Sequence, residues 1–466
     1  MSKENSSGSS ASNSNKRYNT KKYRIDKKEA FGESLVPDKY FFMKNNSDYT
    51  FNLISRPEAS QSMSVVVHLR HNTKKTNYVM KINLMKERKV TPGSYPETEA
   101  KFYKLMELLV KKNITPHVFI LTAKLDAPVA FDDMDKQMRS ELSFFRDEQT
   151  PIHSVFPMVI ETNRKGLEMV TLGNLLGDMN SRFNGYRSSK DARNGSFILF
   201  NLLFQIFYTL LCFEEIDLKH NDLHFSNIFV IKAKKNILDE PGSLPKKYRK
   251  YAFKKNSKDV KIIKLPYIGL DVRIYDFDRS VKQANSFPFY REKIVASQLP
   301  KDDRTGQSSR PNKDLDKYKV LATLLRNYNY RKNYSLPLSV VKFIEKCFKN
   351  NILLYVNGKL HGKSVDLIHN NHNYNLLTRQ LPKGTMMTNT EIVKLLGKKV
   401  KSSRHSSYTL KKREPFDKIE TYATPSVGDL PADTPKKEPR TKRRLFGRSK
   451  KKVKKLEGLT GKITQV

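Results

Sequence analysis

The sequence predicts an α+β fold: a small five-stranded sheet that carries one helix, followed by a larger, mainly helical part. Three observations predict it. Strand-like alternation of apolar and polar residues dominates the first part of the chain, and long apolar or amphipathic runs dominate the second. A loop rich in His, Asp and Asn lies between a long apolar run and a short strand-like one.

The predicted sheet has its helix between the third and the fourth strand. The strands are predicted at Tyr49–Ile54, Ser64–Leu69, Tyr78–Leu84, Val118–Leu125 and Ser154–Glu161, and the helix at Glu99–Lys112. An acidic insert around residues 132–141 separates the last two strands, and we expect it to form a surface helix or loop.

The helical part is predicted around Phe197–Phe213, whose few polar residues, Asn201, Gln205 and Thr209, are spaced four apart. One narrow polar stripe on an otherwise apolar helix is typical of a buried helix. A membrane span is the alternative, because ~18 apolar residues suffice, but the flanks carry charges of both signs and no second span is found. Further helices are predicted at Leu172–Leu176, Asp316–Leu325, Pro337–Asn350 and Thr390–Leu396.

Lys81 lies among apolar residues of the third predicted strand. A lysine on a half-buried strand is costly unless it meets a negative charge. Glu99, at the start of the predicted helix, is the expected partner, and Glu97 is the alternative. The alternative is a lysine without a functional role, whose aliphatic part lies along the strand and whose ammonium group reaches water.

The residues His220–Asn227 have the pattern H-x-D-x-x-x-x-N, and Asp276-Phe277-Asp278 follow downstream. Phosphoryl transfer from ATP uses such groups in this order: one carboxylate orients the attacking hydroxyl, while an amide and a second carboxylate hold magnesium. The order of a buried helix, this loop and a short strand, Ile228–Ile231, favours that interpretation.

On these residues the chain resembles the eukaryotic-type protein-kinase superfamily. It is most similar to the divergent serine/threonine kinases of large cytoplasmic DNA viruses, such as iridovirus-like ones. The residues that carry the resemblance are Lys81, Glu99, His220 to His224, Asn227, Asp276 to Asp278, Asp314 to Tyr318 and Thr115 to His117. The resemblance implies a two-lobed protein-kinase-like fold and a transferase that uses ATP and Mg²⁺ to phosphorylate a protein hydroxyl.

The resemblance also implies a role for each site residue. Lys81, held by Glu99, would bind the α- and β-phosphates. Asp222 would be the catalytic base, His220 would brace its loop, and Asn227 and Asp276 would bind both the metal and the nucleotide. The strand that ends at Glu161 would lead into the hinge that binds adenine. Asp314 would brace the catalytic loop.

Four positions differ from the usual kinase pattern. The hairpin 55–64 has no glycine-rich loop, Asp278 replaces the glycine after Asp-Phe, Asn221 replaces an arginine, and His224 replaces a lysine. Two alternatives therefore stay open. One is a small-molecule phosphotransferase of the same superfamily, and the other is a pseudokinase or basic structural protein that binds polyanions.

Composition, together with the order of the predicted elements, predicts four regions. They are a disordered Ser/Asn/Lys-rich segment at 1–36, the sheet part at 37–160, the helical part at 161–397 with a basic, exposed insertion near 232–266, and a disordered basic tail at 398–466.

The 88 Lys and Arg against 47 Asp and Glu give a formal net charge of +41. Such an excess attracts polyanions, so the tail is expected either to contact nucleic acid or to be a solvated basic segment. Two cysteines provide no disulfide framework, and no secretory signal or transmembrane segment is predicted. We expect an intracellular protein of the host cytoplasm, with the virion or the nucleus as alternatives.

Overall fold

The structure is a computed structural model, and it describes residues 49–55, 64–73, 77–86, 93–124, 128–134, 136–142, 153–163, 168–239, 248–254, 259–296, 314–326, 335–349, 386–403 and 419–427. The predicted N-terminal segment 1–36 and the cluster of basic residues at 436–455 lie outside these ranges.

The first part of the chain forms a six-stranded antiparallel sheet in the order β1-β2-β3-β6-β4, with β5 pairing to β6. Its strands are β1 Tyr49–Ser55, β2 Ser64–His71, β3 Asn77–Met85, β4 Ala123–Lys124, β5 Val129–Ala130 and β6 Ser154–Asn163. Mixed α+β structure agrees with the prediction, but the count of five strands was wrong. In the predicted strand Val118–Leu125 the N–H groups of Ile120 and Thr122 donate to β6 and residues 123–124 pair with it as β4, whereas Val118 forms a bridge to Ile274 in the second part of the chain.

Two helices accompany this sheet: α1 Tyr95–Lys111 and α2 Lys136–Leu142. Helix α1 begins four residues earlier than predicted, because Pro96 suits a first helical turn and Glu97 complements the positive end of the helix. It buries Phe102, Leu105 and other apolar residues of one face. The insert around 132–141 is not wholly a surface segment, since Met138 is buried in the core.

The second part of the chain is built around α4, Ser189–Glu215, whose residues 194–213 are all buried. The polar stripe is satisfied inside the protein. Asn201 donates to the Pro266 carbonyl at 3.0 Å, Gln205 exchanges two hydrogen bonds with the backbone of Leu270 and Val272, and Thr209 donates to the carbonyl of Gln205. Among the described residues α4 is the one helix long and apolar enough to span a membrane, and its apolar window is buried within the protein, as expected for a core helix.

In the part of the chain that the structure describes, three small sheets and four more α-helices surround α4. The sheets have the orders β12-β9-β7, β14-β13-β8 and β11-β10-β15. Their strands are β7 Glu168–Thr171, β8 Leu218–Lys219, β9 Ile228–Lys232, β10 Tyr248–Lys254, β11 Val260–Pro266, β12 Leu270–Ile274, β13 Val281–Lys282, β14 Ile294–Val295 and β15 Ile419–Ala423. The helices are α3 Leu172–Arg182, α5 Leu315–Arg326, α6 Leu338–Cys347 and α7 Asn389–Ser402.

The predicted exposed insertion at 232–266 contains core structure. Strands β10 and β11 form an antiparallel hairpin that buries Tyr251 and Phe253. Lys250 and Lys254 flank three consecutive buried residues, 251–253, so the basic composition of this region concealed a strand that belongs to the core.

The boundary predicted at 397/398 is too early. Helix α7 continues to Ser402, and Gly397 lies inside it, where an added Cβ would meet Ile263 of β11 at 2.6 Å. Glycine here permits close packing and does not end the helix. Strand β15 then pairs in parallel with β10, so residues 419–423 of the predicted tail belong to the folded core.

Candidate active site

The site is arranged by two strand pairings that hold two loops side by side. Ile274, the last residue of β12, pairs with Ile228, the first residue of β9. In the same way β8 pairs with β13, which places Lys219 opposite Val281. The loop 220–227 and the segment 275–280 are therefore joined at both ends, and residues far apart in sequence face each other.

Lys81 and Glu99 form a buried ion pair across the first sheet and α1. Lys81 Nζ lies 2.6 Å from Glu99 Oε1, and both side chains are 0% exposed. Because a buried lysine without a partner would be very costly, this contact explains how β3 accommodates a charge. Glu99, not the alternative Glu97, is the partner, since Glu97 accepts from the backbone N–H of Gly93.

Asp276 completes this group, which we call the Lys81 cluster (Lys81, Glu99, Asp276). Lys81 Nζ lies 2.5 Å from Asp276 Oδ1, although 195 positions separate the two residues. The backbone N–H of Asp276 donates to the hydroxyl of Tyr103 on α1 at 3.3 Å. Asp276 has a left-handed φ of +68°, a conformation that aspartate tolerates better than most residues and that is common at functional sites.

Charges in the Lys81 cluster shift its ionisation. Burial opposes a charged Lys81, but Asp276 and Glu99 outweigh it and raise the pKa of the lysine. Burial raises the pKa of Glu99, and the attraction of Lys81 opposes that rise. Lys81 is thus held as a cation, and one positive charge faces two carboxylates.

Phe277 anchors the segment that carries Asp276. Its ring centroid lies 6.0 Å from that of Phe102, 5.6 Å from Tyr103, 6.1 Å from Phe213 and 5.1 Å from His220. Phe277 itself is fully buried. This packing joins α1, α4 and the loop 220–227, and it fixes the direction in which the backbone presents Asp276.

His220 and Asp316 hold the loop that carries Asp222. The Nε2 of His220 lies 2.8 Å from the Tyr275 carbonyl, and its Nδ1 accepts from the backbone N–H of Asp222 at 3.3 Å. The carboxylate of Asp316 accepts from the backbone N–H groups of His220 and Asn221, each at 2.8 Å. The predicted brace, Asp314, was wrong: its carboxylate pairs with Lys317, and Asp316 performs the bracing.

Asp222 lies among basic side chains, in a group that we call the Asp222 cluster (Asp222, Lys319, Arg279, His224). Lys319 Nζ donates to Asp222 Oδ1 at 3.0 Å, and Arg279 and His224 nitrogens lie 3.5 Å and 3.8 Å from Asp222 Oδ2. Burial opposes ionisation of Asp222, but Lys319 first, and then the other basic neighbours, outweigh it and lower the pKa of Asp222. The pKa of His224 is lowered by partial burial, against the attraction of Asp222, so the ring is neutral near pH 7.

Asn227 links the loop 220–227 to the segment 275–280. Its side-chain NH₂ donates to the Asp222 carbonyl at 2.9 Å, and its own carbonyl accepts from the N–H of Tyr275 at 3.2 Å. Use of the NH₂ group fixes the amide, so the side-chain oxygen is the atom left for a ligand. Two oxygen donors, from Asn227 and Asp276, suit Mg²⁺, which is usually held by one or two protein ligands together with substrate phosphates. The described residues contain no group of three His, Cys, Asp or Glu side chains that could hold a metal ion.

Asp278, which replaces the usual glycine, lies at the same site. Burial first, and then the neighbouring Asp276, raise its pKa well above the ordinary value. Its buried Oδ1 has no hydrogen-bond partner among the described residues. The extra carboxyl is therefore favoured in its neutral form.

Two predicted features, Glu161 and the hairpin 55–64, lie partly outside the described residues. Glu161 lies within β6, opposite Val79, and the strand continues to Asn163, so the chain has not yet left the sheet at Glu161. The side chain of Glu161 and the hairpin residues 56–63 lie outside the described part of the structure.

Sequence reasoning missed Lys319 and Arg279, and it assigned to Asp314 the bracing role of Asp316. Arg279 directly follows the Asp-Phe-Asp motif, so its position alone could have indicated it. Lys319 lies three residues after Asp316, one helical turn further along α5, and a pattern of Asp and Lys one turn apart on one helix face is a weak signal.

No family model matches the sequence, and no curated protein matches it. Among solved structures, a crystal structure of a kinase domain is similar to this chain at 11% identity, covering 77% of this chain and 97% of that chain, with a TM-score of 0.29. A similarity this weak decides neither fold nor function, so a functional assignment depends on the geometry of the site.

Proposed function

We propose that the chain is an ATP-dependent serine/threonine protein kinase with a two-lobed kinase-like fold, related to the kinases of large cytoplasmic DNA viruses. The observation that carries this proposal is the convergence of Lys81, Glu99 and Asp276 beside the loop of Asp222 and Asn227. A lysine, a bracing glutamate and two separated oxygen ligands are the parts that phosphoryl transfer needs.

The charges of the two clusters support the proposal. The Lys81 cluster has one cation against two carboxylates, and so favours an added cation. The Asp222 cluster has one carboxylate against the cations Lys319 and Arg279, and so favours an added anion. A nucleoside triphosphate with a bound metal ion supplies both charges, since the metal ion is a cation and the phosphates are anionic.

In the proposed mechanism each residue has one task. Lys81, held by Glu99, binds phosphate oxygens. Asp276 and Asn227 would hold Mg²⁺, which when bound neutralises charge on the phosphates. Asp222, kept ionised by its cationic neighbours, accepts a hydrogen bond from the acceptor hydroxyl and orients it for in-line attack. Positioning and charge stabilisation provide most of the rate enhancement.

The test is transfer of labelled phosphate from Mg-ATP to acidic and basic protein substrates. We expect transfer by the wild type and a loss of at least about 10²-fold in Asp222→Ala, with binding of Mg-ATP retained. Asp132→Ala, at an exposed aspartate of the sheet part, is the matched control and should transfer at the wild-type rate. Equal rates for Asp222→Ala and wild type would refute the assignment of the base.

A small-molecule phosphotransferase is the second candidate, favoured by His224, which stands two residues after Asp222 and is 44% exposed. A panel of small alcohols and amino sugars in the same assay separates the two candidates. Transfer to this panel, with none to protein, would support the second. If Mg-ATP neither transfers phosphate nor raises the thermal midpoint, a pseudokinase or polyanion-binding protein is the better assignment.

We propose further that the basic tail contacts polyanions, and that the protein acts inside the host cell. The basis is composition alone, since the tail lies outside the described residues. Phosphate contacts of this kind weaken steeply with salt. A tail that binds nucleic acid equally well at low and high salt would contradict the proposal.

A further inference from the structure

Lys319 reaches the proposed catalytic loop from helix α5, which follows the loop by almost 100 residues. Its Nζ donates to Asp222 Oδ1 at 3.0 Å and to the Asn221 carbonyl at 2.6 Å. One turn earlier on the same helix, Asp316 binds the backbone of residues 220 and 221. Helix and loop are therefore fixed against each other by two separate contacts, and the ammonium group is held in place.

The donors of Lys319 are only partly used. A lysine ammonium group has three N–H donors. In the described part of the chain two of them have acceptors, Asp222 and Asn221. Lys319 is 9% exposed, so its ammonium group is shielded from most solvent. Its charge therefore acts more strongly than it would in water. The third donor is available for an oxygen of a ligand beside Asp222.

We propose that Lys319 is a further catalytic residue, whose ammonium group binds the phosphoryl group during its transfer while it holds Asp222 in position. The proposal rests on the proposed kinase function. The acceptor oxygen forms a bond to the γ-phosphorus, and the bond from that phosphorus to the bridging oxygen breaks. ADP leaves with the bonding electron pair, and the hydroxyl proton passes to Asp222. Lys319 gives up no proton and contributes charge.

The neighbouring side chains are less suited to this role. His224 lies 3.8 Å from Asp222, beyond hydrogen-bond distance, and its side chain is 44% exposed. Arg279 lies 3.5 Å away and its side chain is 34% exposed, so water screens its charge more than that of Lys319. The position two residues after the base, where protein kinases usually have a lysine, is thus filled by histidine, and the ammonium comes from another helix.

The first experiment compares Lys319→Met with Lys317→Met in the transfer assay. Lys317 is a buried lysine on the same helix, but it binds Asp314 and the Met387 carbonyl, away from Asp222. We expect kcat to fall by about 10²–10³-fold in Lys319→Met and by less than about 3-fold in Lys317→Met. The thermal shift with Mg-ATP should stay within about 3-fold in apparent affinity for both, because Lys81 and Asp276 are intact.

Chemical rescue provides a test within one folded protein. Because position 319 is buried, as are the two native cysteines, K319C is aminoethylated in denaturant in a Cys212→Ala, Cys347→Ala background and then refolded, which restores an ammonium, with mass spectrometry to verify the product. At least tenfold recovery of kcat supports the proposal, and no recovery overturns it. Wild-type kcat in Lys319→Met would overturn it as well and leave the kinase function standing. Absence of transfer by the wild type would overturn both.

Discussion

The Lys81 cluster and the Asp222 cluster use the same kinds of side chain in opposite proportions. In the first, one lysine is enclosed by two carboxylates, and both Lys81 and Glu99 are fully buried. In the second, one partly accessible carboxylate is surrounded by cations. The first arrangement has a net negative charge, whereas the second holds an ionised aspartate within a net positive charge. The carboxylates of Asp276 and Asp222 are both 17% exposed, so the two halves of the site differ in the sign of their net charge and in the full burial of the Lys81–Glu99 pair.

The largest expected effect follows from the buried half. Lys81→Met leaves Glu99 and Asp276 without their cation, and removal of one partner from a buried pair costs about 3 kcal/mol in free energy of unfolding. Lys101→Met is the matched control, because Lys101 pairs with Glu292 at the surface of the same region. We expect the control to cost less than about 1 kcal/mol. Chemical denaturation measures the free energy of unfolding of both variants. Equal losses of this free energy would show that the buried and the exposed lysine do not differ in their contribution.

The next effect concerns the ligand. Mg-ATP at 100 times its Kd should stabilise the wild type by about 2.7 kcal/mol, measured as a rise in thermal midpoint. Asp276→Asn should abolish most of this rise, because it replaces the carboxylate that would bind the metal. A rise of wild-type size in Asp276→Asn would show that the negative excess of the Lys81 cluster does not attract a metal.

A third charged group is a reference for the comparison. Arg249 pairs with both Asp271 and Glu420, so it has the same ratio of charges as the Lys81 cluster, but in the β11-β10-β15 sheet. Burial opposes ionisation of Asp271, yet Arg249 lowers its pKa from 3.8 to about 2.

A carboxylate whose pKa is lower in the folded state than in the unfolded state stabilises the fold at pH values above its unfolded-state pKa. That stabilisation is lost as the pH falls through the folded-state pKa. We expect Asp271→Asn to lose about 2 kcal/mol at neutral pH, and the difference from wild type to disappear between pH 3.8 and about 2. Denaturation at a series of pH values measures this. The rise in thermal midpoint that Mg-ATP causes in Asp271→Asn should equal the rise in the wild type. A smaller rise in this variant would show that the effect of Asp276→Asn is not specific to the site.

The smallest effect is expected at His224. His224→Asn should change kcat by less than about 3-fold near pH 7, because the ring is neutral there and 3.8 Å from Asp222. Steady-state rates measure it. A loss of kcat as large as that of Lys319→Met would show that His224, and not Lys319, has the cationic role.

Residues that carry their own local signal could be predicted from the sequence. Lys81 is conspicuous on an apolar strand, and the His220–Asn227 loop has a fixed spacing after an apolar helix. The structure brings Lys81, Glu99 and Asp276 into contact and places Asn227 against Asp222. Their roles in catalysis stay predictions.

What depends on direction in space could not be predicted. Asp314 and Asp316 flank the same helix start, and two positions on a helix differ by about 200° of rotation, so only one can face the loop. Sequence alone does not tell which. The partners of Asp222 from α5 were equally hidden, because 97 positions separate Lys319 from it. Strand β15 was missed since its five residues have no local periodicity long enough to detect.

The parallel pairing of β15 with β10 has a consequence for how the protein is made. Glu420 lies 171 positions after Arg249, the residue that it helps to neutralise. Synthesis runs from the N-terminus, so the nascent chain holds Arg249 with only Asp271 as its carboxylate partner until residue 420 has left the ribosome. Of the described strands β15 comes last in the sequence, so the β11-β10-β15 sheet gains its third strand, and Arg249 its second carboxylate, only after the segments before it have been synthesised.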